Sequence, residues 1–232
     1  MSITLVSIYP TLLGTYGDGG NVMALRHRAR LHGIDVRIVE VDPGDPVPES
    51  ADLYVLGGGE DSAQTAAANA LRADGSLRGA AERGASVLAI CAGYQLLGEY
   101  FPDATSTPTA GLGILDVRTD RLPKRAVGEL AAAPKPPLEQ TLSGYENHAG
   151  ATHLGPNARP LGMVRSGIGN GDGSEGATSG HVIGTYLHGP CLARNPQIAD
   201  VLLGWATGQD LPFIEEPEVT QLREERLRTV LG

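Results

Sequence analysis

Cysteine is scarce in this chain: 232 residues contain only Cys91 and Cys191. No Cys-x-x-Cys or His-x-x-x-His spacing occurs, so the common zinc frameworks are excluded and no metal is expected. Basic clusters are missing as well, and the net charge is −9. That balance argues against nucleic acid or an anionic membrane surface as the main partner, and against direct membrane insertion. There is no basic segment followed by an apolar run and a small-residue cleavage site, so a reducing, cytoplasmic setting is expected. No GxxxxGK[ST] loop is present, and no GxGxxG is followed by the required helix and acidic residue, which leaves no nucleotide-phosphate cradle. Glycine (32) and proline (16) are abundant, but they punctuate apolar runs and form no repeat, so the chain is globular.

Between these punctuation marks the apolar pattern alternates. Residues 3–8 read as a strand, and Asp18-Gly19-Gly20-Asn21 opens a helix carrying Val22, Leu25 and Ala29 until Gly33 stops it. Strands follow at 36–41 and 53–56, then Ala-rich helical stretches over 62–83, then a strand at 86–90. This series predicts an α/β fold with a mostly parallel sheet flanked by helices. Shorter β-like runs at 114–118, 128–132 and 161–165 predict an antiparallel extension. Residues 167–180, rich in Gly, Ser and Asp, read as a mobile loop. The run 182–187 returns to the core, Asn195-Pro196 caps a helix ending near Gly208, and 215–231 reads as a charged helix. Residues 1–232 are taken as one domain.

Cys91 ends the apolar run Ser86-Val87-Leu88-Ala89-Ile90 and is followed by Ala92, Gly93 and a helical pattern. On such a strand-turn-helix the sulfur lies near the positive end of the helix, which favours thiolate. A buried cysteine acting as a small hydrophobe is the alternative. Ala92 and Gly93 weigh against it, because a tight turn beside a reactive atom needs small residues, with Gly93 free to take positive φ. His188 closes another apolar strand and can stand at the same sheet edge as a base. Gly57-Gly58-Gly59 ends the strand at 53–56, either as a plain turn or as an oxyanion hole built from backbone N–H groups. Cys191 reads as structural, and His27, His32, His153 and His181 carry no assigned chemistry.

Taken together, Gly57-Gly58-Gly59, Cys91-Ala92-Gly93-Tyr94-Gln95 and His188 resemble the oxyanion turn, nucleophile elbow and base of class I, triad-type glutamine amidotransferases. The resemblance narrows to the cobyric-acid-synthase-like branch and, within it, to GatD proteins, the glutaminase subunits of MurT/GatD lipid II isoglutaminyl synthases. It is carried by Thr15-Tyr16-Gly17-Asp18-Gly19-Gly20-Asn21, Gly111-Leu112-Gly113-Ile114-Leu115-Asp116, Gly144-Tyr145-Glu146-Asn147-His148 and Gly184-Thr185-Tyr186-Leu187-His188-Gly189-Pro190. The resemblance implies that Cys91 attacks the side-chain amide of L-glutamine and that His188 shuttles the proton to departing ammonia. It places Gly58 and Ala92 as oxyanion donors and Gln95, Asn147 and His148 in the glutamine pocket, with Arg125 on the substrate carboxylate or else merely solvated beside Lys124. It also implies a MurT-like Mur ligase subunit that carries ATP and magnesium, receives the ammonia along a sheltered path and amidates D-glutamate of lipid II at the inner membrane face.

One departure stands out. Most class I amidotransferases have a glutamate two residues after the catalytic histidine, where this chain has Pro190. The orienting carboxylate is then expected from the partner, with Glu146 as the alternative within the chain. Rival readings are a glutaminase for another amidation, such as corrinoid synthesis, and a non-catalytic regulatory relative.

Overall fold

The computed structural model describes residues 1–232 apart from Tyr16. In chain order the elements are β1 (Ser2–Ile8), α1 (Gly19–Leu31), β2 (Asp35–Val41), β3 (Leu53–Leu56), α2 (Asp61–Asp74), α3 (Ser76–Glu82), β4 (Ser86–Ile90) and α4 (Ala92–Leu97). There follow β5 (Tyr100–Pro102), β6 (Pro108–Ala110), β7 (Val117–Pro134), β8 (Leu142–Leu154), β9 (Gly162–Ser166), β10 (Ser174–Glu175) and β11 (Ala177–Ser179). The chain ends with β12 (Val182–Thr185), α5 (Cys191–Arg194), α6 (Pro196–Thr207) and α7 (Pro217–Leu231).

The first sheet has the order β11-β12-β4-β3-β1-β2 and is parallel except for β11. Its inner strands read as continuous apolar runs because both faces are covered: every residue of β3, β4 and β12 is buried. In the register Thr185 lies beside Ile90 and Leu56 beside Ala89, so β3, β4 and β12 finish at one level. The segments after those strands therefore meet at a single sheet edge, the usual ligand edge of an open parallel sheet.

A second sheet, β10-β9-β7-β5-β6 with β8 paired to β7, forms the predicted antiparallel extension. Only the end of the run expected at 114–118 is strand: β7 starts at Val117, continues through the run expected at 128–132, and shifts register against β8 between Arg121 and Ala126. Pro123 within that stretch has no N–H to give to a ladder, which suits an irregularity there. A two-way bridge between Tyr145 of β8 and His188 fastens this sheet to that edge of the first.

The expectation of a mobile loop at 167–180 is corrected. The segment contains β10 and β11, and Asn170, Ser174 and Glu175 are buried. Asn170 Nδ2 donates to Ser174 Oγ and Gly176 O at 2.9 Å each, so the polar residues satisfy one another in place of water. Asn195 precedes α6 as expected but does not cap it by its side chain. Its Oδ1 accepts the Ser143 N–H at 2.9 Å and its Nδ2 donates to Ser143 O at 2.8 Å, tying α6 to β8. None of the described helices is long and apolar enough to cross a membrane.

Candidate active site

Cys91 takes φ 53° and ψ −106°, a conformation that costs a β-carbon-bearing residue about 1–3 kcal/mol and persists only when its surroundings enforce it. Two hydrogen bonds do so here: Cys91 N–H donates to Thr185 O at 2.8 Å, and Cys91 O accepts from Gln95 N–H at 3.0 Å. The strained residue of the elbow is thus the cysteine, where positive φ had been expected at Gly93. Gly93 is required for closeness instead, since a β-carbon there would sit 2.9 Å from Gly57 O. Cys91 is 6% exposed, with Sγ 3.9 Å from Asn147 O.

The turn after β3 approaches the elbow from the neighbouring strand. A β-carbon on Gly58 would lie 3.0 Å from His188 Cε1 and 3.3 Å from Cys91 Cβ, so only glycine leaves room for this pair. Gly57 and Gly59 press in the same way on the carbonyls of Leu13 and Leu12. The Gly58 N–H, expected as an oxyanion donor, is engaged: it donates to Asp18 Oδ2 at 2.8 Å.

His188 is brought up by β12 and held by the bridge to Tyr145, with His188 N–H donating to Tyr145 O at 2.9 Å. Its Nδ1 lies 3.2 Å from Asp18 Oδ1, and both side chains are buried. Burial alone would pull the imidazole pKa down; hydrogen bonds to Asp18 and Cys91 outweigh it and push the value up to about 10. Within this chain the carboxylate on His188 Nδ1 is that of Asp18, and the expectation that Glu146 would fill this place is corrected. Glu146 is committed elsewhere, accepting the Ile168 and Gly169 N–H groups at 2.7 and 2.9 Å and pairing with His148 Nε2 at 3.2 Å.

A pocket opens beside the sulfur, with Gln64, Gln95, Arg125, Asn147 and His148 in its wall. Gln95 Nε2 donates to Tyr186 OH at 3.1 Å while its Oε1 accepts from Gln64 Nε2 at 3.0 Å. His148 stacks on Tyr186 with centroids 3.6 Å apart. Arg125, in the irregular part of β7, donates from Nε to Asn147 Oδ1 at 2.7 Å. Arg121, Glu60 and Asp61 also line it, with Arg121 Nη2 3.4 Å from Asp61 Oδ2, so the pocket offers both signs of charge. Each predicted pocket residue is thus found at one cavity with Cys91. Cys191 is fully buried and its thiol pKa is raised by desolvation, as suits a structural residue.

Sequence reasoning missed Asp18 as a partner of His188, having read it only as the residue that opens α1 and as part of a resemblance motif. Tyr16 of that motif lies outside the described residues. The available signal was an acidic residue at the start of α1, in the connection from β1, with glycines behind it. Its meaning depends on β1 lying next to β3, which no local pattern announces.

Comparison with known proteins agrees with this geometry. The fold is shared with solved glutamine amidotransferases. One crystal structure aligns at TM-score 0.59 and 18% identity over 87% of this chain and 98% of its own. Another, from Thermotoga maritima, aligns at TM-score 0.54 and 16% identity over 99% of this chain and 88% of its own. In sequence, the lipid II isoglutaminyl synthase (glutamine-hydrolyzing) subunit GatD of Staphylococcus aureus is 35% identical over 99% of this chain and 94% of that protein. GatD of Streptococcus pneumoniae is 34% identical over 96% and 90%. The cobyric acid synthase of Sphingopyxis alaskensis is 35% identical over 72% of this chain but only 34% of its own length. The CobB/CobQ-like glutamine amidotransferase domain matches residues 4–196, a span that runs from β1 through the elbow and His188 to the start of α6. A fold, an elbow and an end-to-end relative thus converge, and the chain belongs to the CobB/CobQ-like glutamine amidotransferase family.

Proposed function

We propose that this chain is the glutaminase subunit of a lipid II isoglutaminyl synthase. The reading rests above all on the match to GatD, which covers 99% of this chain and 94% of that protein, whereas the cobyric acid synthase matches over only 34% of its length. Glutamine enters the pocket beside Cys91, its α-carboxylate on Arg125 and its ammonium toward the Glu60 and Asp61 part of the lining. Cys91 Sγ attacks the side-chain amide carbon, and the carbon-nitrogen bond breaks as His188 delivers a proton to the leaving ammonia. The glutamyl thioester is then hydrolysed by water to glutamate, restoring the thiol.

The Ala92 N–H, at the first residue of α4, and the Gly58 N–H are the proposed oxyanion donors. Gly58 can serve only once its bond to Asp18 opens, because one N–H cannot be spent in both directions. The ammonia passes to a Mur-ligase-like partner of the MurT kind, which holds ATP and magnesium and amidates the D-glutamate of lipid II to D-isoglutamine.

The test is glutamate release from L-glutamine by the purified chain, with and without the Mur-ligase-like protein of the same genome. Release that disappears in Cys91→Ala, with coupled amidation of lipid II in the presence of partner and ATP, is the expected result. Absence of release under both conditions refutes the reading.

A further inference from the structure

We propose that Gln64 and Tyr186 are positioning residues that fix the direction of the Gln95 carboxamide, and through it set how tightly the pocket beside Cys91 holds its substrate. The contacts stand on this chain's own geometry, while the effect on glutamine rests on the glutaminase reading. Gln64 comes from α2, Gln95 from α4 and Tyr186 from the residue after β12, and all three are buried. Neither Gln64 nor Tyr186 has to touch the ligand to act.

The two ends of a carboxamide are alike in shape, so its direction is decided by the neighbours it meets. Here the decision starts at the elbow. Gln64 Nε2 donates to Ala92 O at 3.2 Å and to Gln95 Oε1 at 3.0 Å. A backbone carbonyl only accepts, so the end of Gln64 that faces Ala92 O is the donor end, with a second hydrogen for Gln95. The Gln95 atom opposite is then the oxygen, which turns Nε2 toward Tyr186 OH at 3.1 Å. Tyr186 OH accepts there and gives its own proton to Thr152 Oγ1 at 2.6 Å, and Thr152 in turn donates to Thr119 Oγ1 at 2.9 Å. One carbonyl of the elbow thereby sets the polarity of a relay that runs from α2 to β7 and β8.

Packing keeps the relay in place. A β-carbon on Gly150 would overlap both Gln95 Nε2 and Tyr186 OH, so β8 closes directly over this contact. The Tyr186 ring is stacked on His148 and meets Tyr94 edge-on at 5.2 Å between centroids, and its backbone N–H donates to Glu175 Oε1 at 3.0 Å. The relay takes one hydrogen and one oxygen lone pair from Gln95, and what remains on each atom is what Gln95 can offer to the pocket it lines. Reversing the amide would exchange donor for acceptor at the ligand.

The experiment compares wild type, Gln64→Glu, Tyr186→Phe and the double variant in the full chain, with thermal unfolding as the check on folding. Gln64→Glu keeps the shape, but an ionised carboxylate only accepts, so the Gln95 amide has to reverse to meet it. Tyr186→Phe keeps the stack on His148 and removes the hydroxyl. Two readouts are used: the Gln95 side-chain amide NMR signals of the isotope-labelled chain, which need no turnover, and kcat and KM for glutamine with the Mur-ligase-like protein present. Both single variants are expected to shift the Gln95 signals. Each should raise KM about tenfold while kcat stays within about threefold, the pattern of lost binding that is shared by ground and transition states. The double variant should cost less than the product of the two, because both act through one amide. Gln95 signals that stay unmoved, an unchanged KM, or single effects that multiply overturn the assignment. A wild type that releases no glutamate, with Gln95 signals that still shift in the variants, upholds the relay and refutes the glutaminase reading instead.

Discussion

Gly58 is the glycine that stands against the Cys91–His188 pair itself. Its α-carbon faces Asp18, Cys91 and His188 at once, and a methyl group would meet their atoms at 3.0 to 3.3 Å. Displacements of about 1 Å at reacting groups can cost about 10²-fold in rate. Gly58→Ala is therefore expected to lower kcat by one to two orders of magnitude while Tm changes little, which steady-state kinetics and thermal unfolding on one preparation would check. The elbow was legible beforehand from an apolar strand, a cysteine and two small residues, although its positive φ falls on Cys91 and not on Gly93. Asp18 was not, because a buried acid has meaning only through what it touches.

At the scale of elements, α1 carries more than its amphipathic pattern suggests. Arg28, fully within the structure, pairs Nε with Asp200 Oδ1 of α6 at 2.9 Å and Nη2 with Asp200 Oδ2 at 2.5 Å. Its Nη1 donates to Ile214 O and Glu216 at 2.7 and 2.8 Å, and His32 also lies on Asp200 at 2.9 Å. The pair locks α1 to α6 and to the segment leading into α7. Removing one partner of a buried ion pair strands the other charge, at a cost of about 3–5 kcal/mol. Arg28→Ala should lose that much in urea unfolding, whereas Arg28→Ala with Asp200→Ala should recover part of it. A loss in the double variant equal to the sum of the two single losses would show that the charges do not interact. The helix was readable from its periodicity. That its one buried arginine would anchor the frame behind Asp18 was not, since the partner lies 172 residues away.

Across the whole molecule, two buried groups set the pH dependence in the same direction. His188 is raised from 6.5 to about 10, so its contribution is complete below about 6.5 and is lost as pH climbs through 10. Glu175 is raised from 4.5 to about 7 chiefly by desolvation, against hydrogen bonds from Thr185 and Tyr186 that oppose the shift. Its folded state binds the proton more tightly, so stability falls as pH rises between 4.5 and 7. Tm should accordingly decline from pH 5 to pH 9. Glu175→Gln, which keeps an acceptor for Thr185 and Tyr186, should raise stability at pH 8 by about 1–3 kcal/mol and leave pH 4.5 nearly unchanged. An equal change at both pH values would show that packing, and not ionisation, governs the site.

The sequence by itself determined the α/β class, the antiparallel extension and the elbow at Cys91, which are encoded locally in the period of apolar residues and in the small residues of the turn; His188 and the glycine turn were joined to that elbow through the family resemblance. Tertiary structure decided what depends on strand order and on long-range closure. It set β1 beside β3, which delivers Asp18 to His188, and folded residues 167–180 inward onto Glu146. It also bent β7 so that Arg125 leans over the pocket. A hydrogen bond between residues 170 positions apart leaves no periodic trace in either segment, and polar loops are ambiguous until the groups that satisfy them are known.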